Sequence, residues 1–410
     1  MTYRPSEGPA VAPARRIRSH AEAIDAAQAL AELWSRSAAE VDRERRVPVA
    51  ELRALEASGL LGIQVPKRHG GAALPFETLI EVFLILGATD VSLAQVPQNH
   101  YDFVDTIQHA GERTQAYFYP RILDGARFGN ALAEPWRKSR RDIVTSIVPD
   151  GLGYRVNGKK FFSTGALTAH VVPVIAVDPD GRFLVAYVDR DAEGLDVQAD
   201  WDAFGQRGTF SGTTVLDNVY VEADHVIHRD GANPALLAAL FAGSQLIHAA
   251  IAAGGATGAT RLAARAAPDF IAARGLGERL GVLEARSAAA RALVLRAARL
   301  IDRSLLELRD EALLVETALA VDEAKSLAYV FGPEVGNELA DFVDDGSEPP
   351  EAIGRFWRNA RVHSLHDPAR WRQHFVADYH LNGRLSADVA GRLQALVDLN
   401  SSLEPNSDRT

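Results

Sequence analysis

Phe128-Gly129-Asn130-Ala131-Leu132-Ala133 is the stretch at which the apolar rhythm of the chain changes. Upstream, apolar residues return every three to four positions, the spacing of a helix face. From here to about Val221 they come in short runs, as in strands. Such runs cover Phe128–Ala133, Ile143–Val148, Tyr154–Val156, Lys160–Thr164, Val171–Val177, Phe183–Val188 and Thr213–Val221. Asn157-Gly158 predicts a two-residue hairpin between two of them, and Asp178-Pro179-Asp180-Gly181 a turn. Short antiparallel strands at this spacing predict a small barrel or sandwich over residues 126–233.

Both sides of this region are helical. Residues 1–18 form a Pro/Ala/Arg-rich flexible arm, and 19–125 an N-terminal helical domain. There Ser19 and Glu22 make a capping box that opens a helix to about Arg46. Pro48 starts the next helix and Gly59 ends it. Pro75–Leu86 is apolar on nearly every side, which predicts burial between other helices. Ser92–Gln108 is expected to distort at Pro97, and Glu112–Leu123 to stop at Gly125. Downstream, Leu236–Arg265, Glu278–Arg303 and Glu307–Phe331, with shorter helices following, predict a C-terminal four-helix bundle over 234–400. A polar tail covers 401–410.

Composition sets outer limits. The net charge of −10 lacks the basic footprint of general nucleic-acid binding. With no cysteine, disulfides, thiolate nucleophiles and Cys-ligated metals are excluded. No signal peptide or bilayer-spanning run is read, and the small-residue stretch Ile247–Thr260 is expected to be a closely packed internal helix. A cytoplasmic protein is the expectation.

Chemistry concentrates in Arg355–Pro368, RFWRNARVHSLHDP. His363 and His366 lie three residues apart, on one side of a helical backbone. Pro368 disfavours helix at Asp367 and suits the first turn of a new one, with Asp367 as N-cap. The histidines therefore fall at a joint between helices. Other patterns carry nothing: Gly275–Gly281 is misspaced for a dinucleotide fingerprint, and Glu-x-x-His occurs once, at Glu222 and His225. Two histidines are too few for a metal site. Arg137, Lys138, Arg140 and Arg141 read as a solvated turn.

The order helix domain, β domain, helix bundle resembles the acyl-CoA dehydrogenase superfamily, an α+β fold, over about Ala21 to Asn382. Phe128-Gly129-Asn130-Ala131-Leu132-Ala133-Glu134-Pro135 looks like that family's strand and Glu-Pro turn beside the flavin. Asn157–Gly165, Asp217–Val221 and Arg358-Asn359-Ala360-Arg361 are similar to three further family segments. Where its dehydrogenases carry the Tyr-Glu-Gly base, this chain has Leu365-His366-Asp367. No glutamate stands on the first bundle helix either. Without that carboxylate, α,β-dehydrogenation has no catalyst. The segment through Trp357, His363 and His366 instead resembles the flavin-dependent monooxygenase branch, which includes dibenzothiophene, sulfone and sulfinate monooxygenases.

That resemblance implies reduced FMN (or FAD) delivered by a separate flavin reductase, a homotetramer, and oxygen transfer from a C4a-(hydro)peroxide to a small organosulfur compound, an amine or an aromatic ring. It implies that His366, assisted by His363, controls the proton, because histidine titrates near neutrality. Asp367 either orients that imidazole or simply caps. Thr164 and Asn130 would hydrogen-bond near the reacting flavin edge, with Ser163 beside them. Phe162 and Trp201 would wall the ring, and Arg265 and Arg361 would meet the phosphate end. Gln95, Asn99, His100 and Trp201 would line the substrate pocket, Gln95 and Asn99 standing where the dibenzothiophene enzymes have a His and a Tyr. The alternatives are a dehydrogenase or oxidase with a relocated base, and a non-catalytic flavin-binding oligomer.

Overall fold

The computed structural model describes residues 14–134, 142–228, 234–266, 268–342, 350–387, 389–391 and 394. Residues 1–13 of the expected arm, the basic turn at 137–141 and the tail beyond 400 lie outside them. The rest of that arm, 14–18, is packed and not loose, with Ala14 and Ile17 buried and the Arg15 N–H donating to the Ala57 carbonyl at 3.0 Å. Helix α1 (His20–Ser35) opens as expected, with Ser19 Oγ accepting the Glu22 N–H at 3.3 Å and Glu22 accepting the Arg18 N–H at 2.8 Å. It does not run on to Arg46. The chain breaks at Arg36–Ser37, and α2 (Ala38–Glu44) follows.

Helix α3 (Val49–Ser58) ends at Gly59, and α4 (Phe76–Thr89) is buried on most sides between α1 and later helices. Pro97 divides the next stretch outright, into α5 (Val91–Gln95) and α6 (Gln98–Ile107), because it has no N–H to give the ladder. Helix α7 (Glu112–Leu123) completes the N-terminal part.

The central strands are β1 (Ser146–Asp150), β2 (Gly153–Lys160), β3 (Val171–Val177), β4 (Phe183–Asp189), β5 (Leu195–Val197), β6 (Thr214–Glu222) and β7 (Val226–His228). They form one sheet in the order β5-β6-β2-β1-β3-β4-β7. It is mixed where an antiparallel barrel or sandwich was expected, since β1 meets β3 in parallel at Ser146 and Val177.

Two local expectations also fail. Phe128, Ala131 and Ala133 make isolated bridges to Val171, Val174 and Phe161, not a continuous strand. Asn157-Gly158 is no hairpin, because β2 runs straight through it. The Asn157 side chain instead accepts the Asn218 N–H at 2.7 Å, beside a bulge where Asn218 has φ 54°. The actual turn joins β1 to β2 at Gly151, φ 60°.

The C-terminal part comprises α8 (Pro234–Ala266), α9 (Pro268–Ala273), α10 (Gly277–Leu306), α11 (Glu311–Glu338), α12 (Pro350–His363) and α13 (Ala369–Asn382). Helix α8 packs against α4, α10 and α11. Its small residues let backbones touch: a Cβ on Gly258 would lie 2.0 Å from the Ala88 carbonyl oxygen. The stretch read as too short to cross a bilayer thus sits within a longer helix. That helix is long and apolar enough to cross a membrane, yet most of its apolar stretch is buried in this packing. One apolar core unites α1, α4, α8, α10 and α11 around Trp34, Phe83, Ile251 and Phe331; another fills the sheet.

Candidate active site

Helix α12 delivers His363 into the interior. The ring is buried, with Nε2 2.9 Å from the His248 carbonyl oxygen and Nδ1 3.0 Å from Gln206 Nε2. A carbonyl only accepts, so Nε2 carries the proton and Nδ1 accepts from the Gln206 amide. Burial pushes the His363 pKa down to about 4, and nearby Lys325 adds to the effect. This histidine is held neutral in one tautomer.

His366 differs. It follows the end of α12, its N–H donating to the His363 carbonyl at 3.2 Å, and its ring is exposed along one wall of a cavity of about 840 Å³. It lies nearly flat on the ring of His248 from α8, with centroids 4.1 Å apart and planes inclined 29°. The cavity lies between α6, the β4/β7 edge, α8, α11 and α13. Phe103, Leu132, Ile227, Leu237, Phe241 and Trp371 give it apolar walls. Among the described residues no glutamate lines it.

The polar end is a buried ion-pair cluster. Asp367 accepts from Lys325 Nζ at 2.8 Å and from Arg372 Nε at 2.9 Å, and Arg372 also binds Asp322 at 2.7 Å. Burial would raise the Asp367 pKa, but the two cations outweigh it and hold it at about 2. Asp367 is therefore not the expected cap. Pro368 occupies the N-cap position of α13, and no side chain caps that helix.

The 200–212 loop of the β domain is pinned to α12. The Gln206 N–H donates to Asn359 Oδ1 at 2.6 Å, and a Cβ on Gly205 would sit 2.2 Å from the Arg358 carbonyl oxygen. Trp201 Nε1 donates to the Gln206 carbonyl at 2.9 Å, and its ring stands edge-on to Phe162 at 6.0 Å and 85°. Phe162 has φ 51° and is 59% exposed, an unusual posture for a large aromatic. That left-handed residue lies two positions past the end of β2, and the side chains that follow it, Ser163 and Thr164, are buried. Thr164 Oγ1 meets Ser211 Oγ at 2.8 Å, the Asn130 N–H donates to the Thr164 carbonyl at 3.2 Å, and buried Ser163 Oγ has no hydrogen-bond partner among the described residues. Beneath this lip Glu134 binds buried Lys160 at 2.8 Å. Against its burial, Lys160 and the Thr145 hydrogen bonds hold the Glu134 pKa at about 2.

Exposed Phe162 and half-buried Trp201, with Ser163, Thr164 and Asn130 behind them, offer an aromatic wall with hydrogen-bonding groups at its edge, set apart from the residues that line the His366 cavity. That donor set suits a planar heteroaromatic ring such as isoalloxazine.

Of the other expected pocket residues, only Asn99 lines the cavity. Gln95 is buried on α5, its Oε1 without a partner among the described residues. His100 is a core histidine: Nδ1 accepts the Phe128 N–H at 3.1 Å and Nε2 donates to the Leu61 carbonyl at 3.0 Å. Burial takes its pKa to about 3. Arg265, near the end of α8, and Arg361, in the last turn of α12, are both exposed. The sequence reading missed Gln206, His248, Ser211 and Lys325. Gln206 and Ser211 share the 200–212 loop, His248 lies on α8 and Lys325 on α11, and only folding brings these three segments to the histidine joint.

Comparison with known proteins agrees with this arrangement. Residues 18–126 match the N-terminal domain of acyl-CoA dehydrogenase, and residues 130–219 its middle domain. Dibenzothiophene monooxygenase of Rhodococcus erythropolis is 32% identical over 397 residues, spanning 88% of this chain and 93% of that protein. The probable FMNH2-dependent monooxygenase SfnC of Pseudomonas putida is 29% identical, over 89% and 96%. FMN-bound TdsC from Paenibacillus sp. A11-2 superposes with a TM-score of 0.81 at 26% identity, over 89% and 98%.

Proposed function

The chain belongs to the acyl-CoA dehydrogenase superfamily, in the branch of the dibenzothiophene monooxygenases, and from that premise we propose a reduced-FMN-dependent monooxygenase acting on a small organosulfur compound. The observation that carries the reading is the cavity wall: an imidazole, His366, faces the substrate space, and no glutamate does among the described residues. Reduced FMN, when bound, supplies the electron pair that lets one oxygen atom of O2 enter the substrate while the other leaves as water.

The chain's own residues position and protect. Phe162 and Trp201 wall the flavin ring, and Ser163 Oγ, Thr164 and Asn130 hydrogen-bond its edge. Arg265 and Arg361 answer the phosphate end, Arg265 reaching it across a subunit boundary of a homotetramer. His366 holds and releases the proton at the reacting oxygen, because its ring is accessible. His363, locked neutral, sets the position of His366 by anchoring the end of α12. Asp367 ties the joint to α11 and α13 through Lys325 and Arg372. The apolar walls seat the substrate's hydrocarbon part, with Asn99 among the polar contacts. A separate flavin reductase supplies the reduced cofactor in the cytoplasm; FAD is the alternative cofactor.

Stopped-flow mixing of the reduced-FMN-loaded protein with O2 tests this. The expected result is a long-lived absorbance at the near-UV/visible border, distinct from oxidised FMN, and an oxygenated product from dibenzothiophene or a sulfone. Bleaching of bound FMN by an acyl-CoA without oxygen would establish a desaturase instead. Neither oxygen uptake nor bleaching would leave a flavin-binding oligomer.

A further inference from the structure

We propose that His248 is the positioning partner of His366, the two stacked imidazoles taking up a single proton between them. The inference rests on the oxygen-transfer reading, since the proton concerned is the one that reading assigns to His366. Three observations meet at this point. The rings lie 4.1 Å apart and 29° from parallel, a stack and not a hydrogen-bonded chain. His248 is buried and lines the same cavity as His366. The backbone carbonyl of His248 takes the His363 N–H at 2.9 Å. One bond thus fixes α12 against α8 and places His366, a turn later, over the His248 ring.

Among the described residues, the charges nearest the stack largely pair off with one another. Asp322 and Lys325 approach from α11, Asp367 from the joint, and Arg372 from α13. These two carboxylates and two cations bind one another and cancel. Gln245 of α8, bonded to Lys325 at 2.5 Å, is uncharged. Asp102 of α6 and His109 just beyond its end line the cavity, as does His228 of β7. On the other side of His248 stands the neutral His363, with centroids 5.4 Å apart.

A first proton goes to the more exposed ring, His366. A second, on His248, would set two like charges at stacking distance in a largely buried site, and is resisted. The pair therefore titrates as a unit in two macroscopic steps. Between those steps His366 is an imidazolium held flat on a neutral ring, with one proton to give.

Histidine NMR of the full-length, flavin-free protein across pH tests the pair directly. Two separated steps are expected for the coupled ring signals, and one step for His366 in His248→Phe, which keeps a flat ring beneath it. His248→Gln, read in the same way, also leaves one step, and serves if the phenylalanine variant does not fold. A His366 titration that is single-step in the wild type and unmoved by either substitution overturns the proposal. With FMN and dibenzothiophene, the variants are expected to keep FMN affinity and to lose the acid-side limb of the kcat/KM profile. An unchanged profile likewise overturns it. Two-step NMR titration in a protein that oxygenates no organosulfur compound would sink the functional reading and leave the stack standing.

Discussion

Gln206 and His363 are joined across the boundary between the sheet and the helical bundle: the glutamine amide donates to the imidazole Nδ1 at 3.0 Å, with both groups buried. The Gln206 N–H simultaneously donates to Asn359 on the same helix. One loop residue therefore fixes the 200–212 segment, and with it Trp201, against the helix that carries the histidine pair. Gln206→Leu strands the Nδ1 acceptor. We expect a loss of about 1–3 kcal/mol of stability and weaker FMN binding, read by thermal unfolding and flavin titration.

The two histidines should separate cleanly. His366→Ala is expected to fold and bind FMN normally while oxygen transfer falls by ~10²-fold or more. His363→Ala leaves the Gln206 amide and the His248 carbonyl without their ring, so it should lower the unfolding midpoint as well as activity. Steady-state kinetics beside calorimetry distinguishes them. Normal turnover in His366→Ala would remove that residue from the mechanism.

Lys325 and Asp367 are both almost wholly buried. Lys325→Met leaves a carboxylate with Arg372 as its remaining charged partner, and is expected to cost about 3–5 kcal/mol, measured by urea unfolding. The double variant Lys325→Met/Asp367→Leu removes both charges and should recover part of that loss.

Acid stability should fall in two stages. His363 and His100 have pKa values of about 4 and about 3 in the folded chain, against 6.5 unfolded. The unfolded state binds their protons first, so stability declines as pH drops from 6.5 toward those values. Glu134 and Asp367 are held at about 2 when folded, against 4.5 and 3.8. Their contribution is present above the unfolded values and is lost as pH falls through about 2. Unfolding free energy measured from pH 7 to 3 should therefore steepen below about 4.5, and less so in Glu134→Gln.

Gly205→Ala places a methyl group against the Arg358 carbonyl. The loop must lift from α12, at about 1–3 kcal/mol. Trp201 moves with it, so its fluorescence should shift and FMN affinity should drop.

The sequence by itself determined the three-part order of the chain, since helix and strand periods are local. Ser19, Gly59 and Pro97 punctuate it through backbone effects that need no tertiary partner. It also located the histidine joint at 363–366, and its lack of a nearby glutamate, because those are facts of spacing. Local rules misled where a distant strand decided the outcome. Asn157-Gly158 reads as a turn, yet pairing with β1 and β6 on both sides keeps it extended. Phe128–Ala133 alternates like a strand, yet only single bridges reach it.

Tertiary structure alone decided what each polar side chain does. His100, His363 and His366 look alike in the chain. Folding spends both nitrogens of the first on Phe128 and Leu61, and both of the second on Gln206 and His248, and turns the third toward the cavity. His248 lies more than a hundred residues from its stacking partner. An ion pair, a stack or a buried proton depends on distances of a few ångströms between segments far apart in sequence, and only packing brings those segments together.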